Sequence, residues 1–251
     1  MVRTNIFQPT EVRDVVASAG NFSVVEYKRD VSVDSVSAET KYFMAQMNMR
    51  KRQVIARLNG NGIILQAGAM QVMTGDVQVA TNVKGAGDFF KKMIGGSVTG
   101  ESAIKPRYTG QGFVYLEPTY KYIILEDLDT WGGAVTIDDG MFLACDDSVN
   151  VGVVARSNLS SAALGGEGLF NTSLNGKGIV ALESRVPREE LIVLDLENDC
   201  VKIDGNMAVA WSTSLQFTVE RTTATLIGSA ASGEGLVNVY RGTGRILMAP
   251  V

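Results

Sequence analysis

Three glutamates, Glu101, Glu167 and Glu234, recur in this 251-residue chain, each directly after a glycine and ahead of a strand-like run. Carboxylates repeated in this way could ring an axis and hold a hard cation through oxygen. Like charges on one axis repel, however, and such a cation needs more ligands than three. The reading preferred here is therefore structural, with each carboxylate accepting backbone N–H groups at a strand entry. Asp138, Asp139, Asp146 and Asp147 bracket the run Met141 to Cys145 without the spacing of a calcium loop, so they read as turn formers. Glu126, Asp127 and Asp129 read as a solvated turn before Trp131. The chain has no histidine, which removes Ser-His-Asp and Cys-His nucleophiles, imidazole metal ligands and histidine bases. No paired acids of a glycosidase kind can be read from spacing. No catalytic residue, metal ligand or cofactor site is assigned, and the chain is expected not to be an enzyme.

The glycines carry the pattern that positions these acids. Gly-x-Gly steps stand at Gly110/Gly112, Gly176/Gly178 and Gly242/Gly244, two intervals of 66 residues. They precede strands, whereas phosphate-cradling loops follow a strand and open a helix, so they read as turn glycines. A second glycine, at Gly68, Gly140 and Gly205, opens an apolar run, a polar turn and another run in each interval. The unit is two hairpins joined by a variable connector, and its runs are rich in β-branched and aromatic residues. An all-β fold of three pseudo-symmetric hairpin repeats follows, about 54–125, 126–190 and 191–251. A unit of this size buries too little alone, so the three are expected to share one core about a roughly threefold axis.

Residues 1–53 lie outside the repeat and are expected to form a β extension packed on a single domain spanning 54–251. Phe22 to Val33 alternates as an edge strand would, and the methionine-rich stretch Glu39 to Arg52 is read as strand. The connectors occupy like positions with unlike chemistry. Only the first is basic and amphipathic, with Phe89, Phe90, Met93 and Ile94 beside Lys91 and Lys92, and it is the candidate interaction surface.

The net charge of −4 disfavours broad attachment to nucleic acid, although residues 1–57 hold nine Lys/Arg against six acids. No stretch is apolar enough for a membrane-spanning helix, no leader is readable at the N-terminus, and the two cysteines, Cys145 and Cys200, make no framework. A cytoplasmic protein, peripheral to membrane at most, is expected.

Several runs resemble one known family: Gln66 to Met73, Gly100-Glu-Ser, Asp139 to Val149, Gly165 to Phe170, and Gly233 to Val237 with Arg241 to Arg245. Together they are similar to the family of mitochondrial biogenesis protein twenty-four (altered inheritance of mitochondria), over roughly residues 54–251. The resemblance implies a shortened double-stranded β-helix like that of the tryptophan RNA-binding attenuator protein. It implies no catalytic residues. The expected role is a non-enzymatic scaffold or interaction protein with membrane or protein partners, present as a monomer or low-order oligomer. The alternative is a small-ligand or RNA-binding regulator, by analogy of fold alone.

Overall fold

A computed structural model describes residues 2–81, 104–155, 170–221 and 236–250. Its strands are β1 (Arg13–Ala19), β2 (Phe22–Tyr27), β3 (Lys51–Asn59), β4 (Ile63–Leu65), β5 (Met70–Ala80), β6 (Arg107–Leu116), β7 (Tyr122–Asp127), β8 (Ala134–Ile137), β9 (Phe142–Asp146), β10 (Val149–Ala155), β11 (Phe170–Gly176), β12 (Ile179–Ser184), β13 (Ile192–Asp204), β14 (Ala208–Ser212), β15 (Gln216–Arg221) and β16 (Leu236–Met248). Among the described residues one α-helix, α1 (Ala38–Gln46), joins β2 to β3. The chain is all-β, as its β-branched and aromatic runs dictate.

The strands form two sheets, and every strand pair in them is antiparallel. The first runs β1-β2-β3-β6-β4-β9-β12-β7, with β5 on β6; the second runs β10-β11-β8-β14-β16-β13, with β15 on β16. The first sheet curls until its ends meet. Arg52 at the start of β3 and Thr119 ahead of β7 exchange backbone hydrogen bonds of 2.7 and 2.8 Å. The amide of Asn21, in the β1–β2 turn, donates to Asp146 at the end of β9 over 2.7 Å.

Each Gly-x-Gly step marks a change of neighbour. Before Gly110, β6 pairs with β4, and after it with β3. Gly176 ends β11 in the second sheet, and Gly178 leads into β12 in the first. Before Gly242, β16 pairs with β15, and after Gly244 with β14. Gly110, Gly176, Gly178 and Gly242 all have φ between +116° and +131°, which bends the strand as a side chain would not allow.

The expectation of turn glycines ahead of strands is corrected at these steps. Gly110 and Gly112 lie inside β6, and Gly242 and Gly244 lie inside β16; none of the four is in a turn. Gly112 stands opposite Leu58 of β3 on one side and Gly75 of β5 on the other. With φ at +154°, its Cβ would fall on the Thr74 carbonyl oxygen, so glycine is required there by the close approach of two backbones. Only Gly178, between β11 and β12, sits ahead of a strand as expected.

One core, containing Trp131, Ile137, Phe142, Leu174, Leu182 and Leu247, joins the two sheets. A second fills the curl of the first sheet around Phe22, Val54, Ile63, Val114 and Leu116. A third lies against β13–β16 around Trp211, Tyr240 and Ile246, with Phe217 stacked on Trp211 at 5.7 Å. Val25 and Ile55 point the other way from Val24 and Val54, and meet Ile6 and Phe7 outside the first sheet. Strands β2 and β3 are thus buried on both faces, and residues 13–27 run as strands of the same sheet as β6.

The methionine-rich stretch read as strand is instead α1, followed by a turn, with β3 starting at Lys51. Asp34 decides it, because its carboxylate accepts from the Val36 and Ser37 amides at 2.8 and 2.9 Å and turns the chain into the helix. Those hydrogen bonds, led by the one from Ser37, hold the Asp34 carboxyl below its ordinary pKa. Ala38, Glu39, Lys41, Met44 and Gln46 are good helix formers without a period of two. Asn48, at φ +61°, closes the helix, and the Met49 amide donates to the Met44 carbonyl at 2.9 Å.

Both cysteines lie on strands in different settings. Cys145 on β9 is fully buried, and burial pushes its thiol far above the ordinary range, while Cys200 on β13 is exposed. A thiol reagent such as Ellman's is expected to modify one cysteine in the native protein and two in urea; two fast native reactions would contradict this burial.

Candidate functional site

Where α1 returns to the sheet, a group of charged side chains lies almost out of solvent. Glu26 on β2 is 8% exposed and Arg52 on β3 is 4% exposed. Their adjacent strands pair Glu26 directly with Arg52. The Arg52 Nη2 atom lies 2.7 Å from Glu26 Oε2, and Arg50 Nη1 donates to Glu26 Oε1 at 2.8 Å. The same Arg52 group donates to the carbonyl and side chain of Asn48 at 3.1 and 3.0 Å and sits 4.3 Å over the Tyr122 ring centre. One guanidinium therefore ties β2, β7 and the end of α1 together.

A second cluster stands beside it. Asp30 pairs with Lys51 at 2.7 Å and with Lys41 of α1 at 3.9 Å, and accepts from the Tyr120 hydroxyl. Lys41 also donates to Tyr120 Oη at 2.7 Å and lies 4.2 Å from its ring centre. Burial alone would raise the Asp30 carboxyl; hydrogen bonds from Lys51 and Tyr120, with the charges of Lys51 and Lys41, outweigh it and leave the pKa below the ordinary value. The hydrogen bond to Asp30 raises Lys51. Both groups are charged at neutral pH, so the cluster is an ion-pair network and not a poised acid or base.

On this footing α1 shows solvent an apolar surface. Ala45 is the buried residue of the helix. Lys41, Met44 and Ala45 share its inner stripe, while Tyr42, Phe43, Gln46 and Met47 point outward. Tyr42, Phe43 and Met47 are 62%, 58% and 74% exposed, and Met49 beyond the helix is exposed too. The Tyr42 and Phe43 rings meet edge-on with centres 5.5 Å apart. A cluster of large apolar side chains held outward on a braced helix suits contact with another apolar surface.

The sequence-derived candidates fall elsewhere. The connector Phe89, Phe90, Lys91, Lys92, Met93 and Ile94 and the glutamates Glu101, Glu167 and Glu234 lie outside the described residues. Gly68, Gly140 and Gly205 take φ of +83°, +76° and +55° with open space around them, as turn glycines do. Gly110, Gly112, Gly176, Gly178, Gly242 and Gly244 stand where strands change neighbours. Asp146 accepts from Asn21 and from the Ile179 amide at 2.8 Å, and Asp147 pairs with Arg107 at 2.5 Å, so both serve the fold. Glu126 does more than face water in a turn: it accepts from the Trp131 indole at 3.1 Å and from Arg188 at 2.9 Å. Among the described residues, no group of three or more His, Cys, Asp or Glu is placed to hold a metal ion.

The charged footing escaped the sequence reading. Its signal was the pair of charge-dense segments Glu26 to Asp30 and Arg50 to Arg52, whose members become neighbours only when β2 and β3 pair.

Three comparisons bear on this chain. An uncharacterized protein of Streptococcus pyogenes serotype M6 is 29% identical over 195 residues, covering 75% of this chain and 76% of that protein. A crystal structure of a Streptococcus pyogenes protein is similar with a TM-score of 0.58 at 26% identity, covering 80% of this chain and 88% of that one. Among the described residues, no helix is long and apolar enough to cross a membrane. The model of the family described as "Mitochondrial biogenesis AIM24" matches residues 45–251, nearly all of the body and the end of α1, and the chain belongs to that family.

Proposed function

We propose that this chain is a non-enzymatic interaction protein of the cytoplasm whose β body holds α1 out as a contact surface for a protein partner. The observation that carries the proposal is the outward cluster of Tyr42, Phe43, Met47 and Met49 on and just after a helix braced by one buried and one half-buried ion pair. Exposed aromatic and methionine side chains are the usual anchors of protein–protein contact. A protein partner fits better than an anionic membrane, because the helix surface carries no cationic surplus. Asp34 and Glu39 are exposed there, and Lys41 and Arg50 are engaged with Asp30, Tyr120 and Glu26. Membrane attachment through such a helix needs free Lys and Arg beside the apolar face. The connector Phe89 to Ile94, with Lys91 and Lys92, is a second contact element in this reading, resting on its sequence alone.

In the same reading residues 54–251 are one body of three like units, and residues 1–53 add strands and α1 to it. Equivalent contacts support this. In the hairpins β5–β6, β10–β11 and β15–β16, a Cβ on the first glycine of the step would approach the carbonyl oxygens of Asp76, Ser148 and Ser214 in turn. A Cβ on the second, at Gly112, Gly178 and Gly244, would approach Thr74, Asp146 and Ser212, two residues earlier each time. Among the described residues of these hairpins α1 has no counterpart, and a feature that breaks the repeat suits a specific contact.

Hydrogen exchange tests the proposal. The amides of residues 38–49 are expected to exchange at least about tenfold more slowly in an extract of the native cell than in buffer, while β13 exchanges equally in both. Equal exchange at α1, or protection confined to other elements, would count against it.

A further inference from the structure

The segment carrying α1 is an excursion from a continuous ladder. Tyr27, the last residue of β2, pairs directly with Lys51, the first of β3, so residues 28–50 leave and rejoin the sheet at one point. Within the helix only Ala45 is buried, so apolar burial contributes little to its docking. What holds it is polar and sits at two places. Lys41 engages Asp30 and Tyr120, and the end of the helix is held by Arg50, which donates to the Ala45 carbonyl at 3.0 Å, and by Arg52 through Asn48. Arg52 and Glu26 both lie on the strands, paired across the ladder at 2.7 Å, and neither belongs to the excursion.

We infer that residues 31–50 form a strap that undocks as a unit from an intact β body, and that the Lys41–Tyr120–Asp30 contact is its latch. The two ends of the excursion are pinned by the Tyr27–Lys51 pair, so lifting the strap breaks no strand ladder. Asp30 stands at the foot of the strap, where Lys51 keeps it charged and in place when Lys41 leaves. Beyond that foot, Lys41 is the side chain that reaches Tyr120, which lies in the connection between β6 and β7. Opening therefore breaks the Lys41 contacts, the Asn48 contacts and the Arg50–Glu26 pair, while the buried Glu26–Arg52 pair stays formed. The strap's orientation, and with it the aim of Tyr42 and Phe43, is set at the helix by the Lys41–Tyr120 hydrogen bond and at its end by the contacts of Arg50 and Asn48. The inference concerns the free protein and does not depend on any partner.

Chymotrypsin, which cuts after aromatic residues, reads the open state because a docked helix is a poor protease substrate. With the full chain under native conditions, Lys41→Gln and Tyr120→Phe are each expected to raise cleavage after Tyr42 and Phe43 by at least about tenfold, followed by mass spectrometry of the fragments. Wild-type protein in 1 M salt is expected to move the same way, since Lys41 is partly exposed and such salt shortens the screening length to about 3 Å. Amide exchange in β3, β6 and β9 is expected to stay at the wild-type rate. Unchanged cleavage in both variants would overturn the latch. Equal acceleration of exchange in the strap and in those strands would overturn the independent strap.

Discussion

Gly110→Ala is expected to cost the fold about 3 to 5 kcal/mol, the sum of a forbidden backbone conformation and a steric clash. Gly110 sits at φ +116°, and its Cβ would fall on the carbonyl oxygen of Asp76 across the ladder. That oxygen belongs to the backbone of β5, so nothing flexible can yield. Gly68→Ala is the control. Gly68 has φ +83° but no atom within 4 Å of where a Cβ would stand, so only the left-handed penalty of about 1 to 2 kcal/mol applies. Equilibrium urea unfolding of the two variants reads the difference, and equal losses would mean that the close approach of β5 and β6 contributes nothing.

The buried ion pair gives the second large effect. Arg52→Ala is expected to destabilise the protein by about 3 to 5 kcal/mol, because it strands the Glu26 carboxylate under the helix with Arg50 as its one remaining cation. Arg52 also loses its place over Tyr122 and its hold on Asn48. The double variant Glu26→Leu/Arg52→Met is expected to recover more than half of that loss, since both charges leave together and the replacements fill similar volume. If the double variant is less stable than Arg52→Ala, the pair itself holds the fold, and stranding of the charge is not the cause. By contrast, Glu220→Ala removes a half-exposed surface carboxylate whose pKa is lowered to about 2 by its hydrogen bonds from Arg241 and Thr218, and is expected to leave the melting temperature nearly unchanged.

Strands and glycine steps were legible in the sequence because those signals are local. A run such as Tyr122-Ile-Ile-Leu needs no partner to declare itself β, and a glycine held at positive φ leaves its mark as a glycine. That Gly110 and Gly112 sit within a strand was not legible, because what demands them is the β5 backbone opposite and not a local turn. Nor was the sheet arrangement. Nothing in Phe170 to Ser184 says that β11 and β12 serve different sheets, since that depends on strands far away in the chain. The helix was misread because Tyr42, Phe43, Met44 and Met47 suggested a strand, while the turn set by Asp34 leads the chain into a helix that aims three of these side chains outward. The same error hid the candidate surface. The groups that hold the helix in place, the carboxylates of Glu26 and Asp30 and the hydroxyl of Tyr120, lie outside it and come together only in the fold.

Whether the outward face of α1 is a protein contact is tested most directly by substitution on that face. Wild-type and Tyr42→Asp/Phe43→Asp proteins are immobilised equally, exposed to one extract of the native cell with its membranes present, and the bound material is quantified by mass spectrometry. Removing two exposed aromatic anchors is expected to lower capture of a defined protein partner by at least about thirtyfold, with the melting temperature unchanged. Equal capture by both proteins, or capture of lipid alone, would contradict the account.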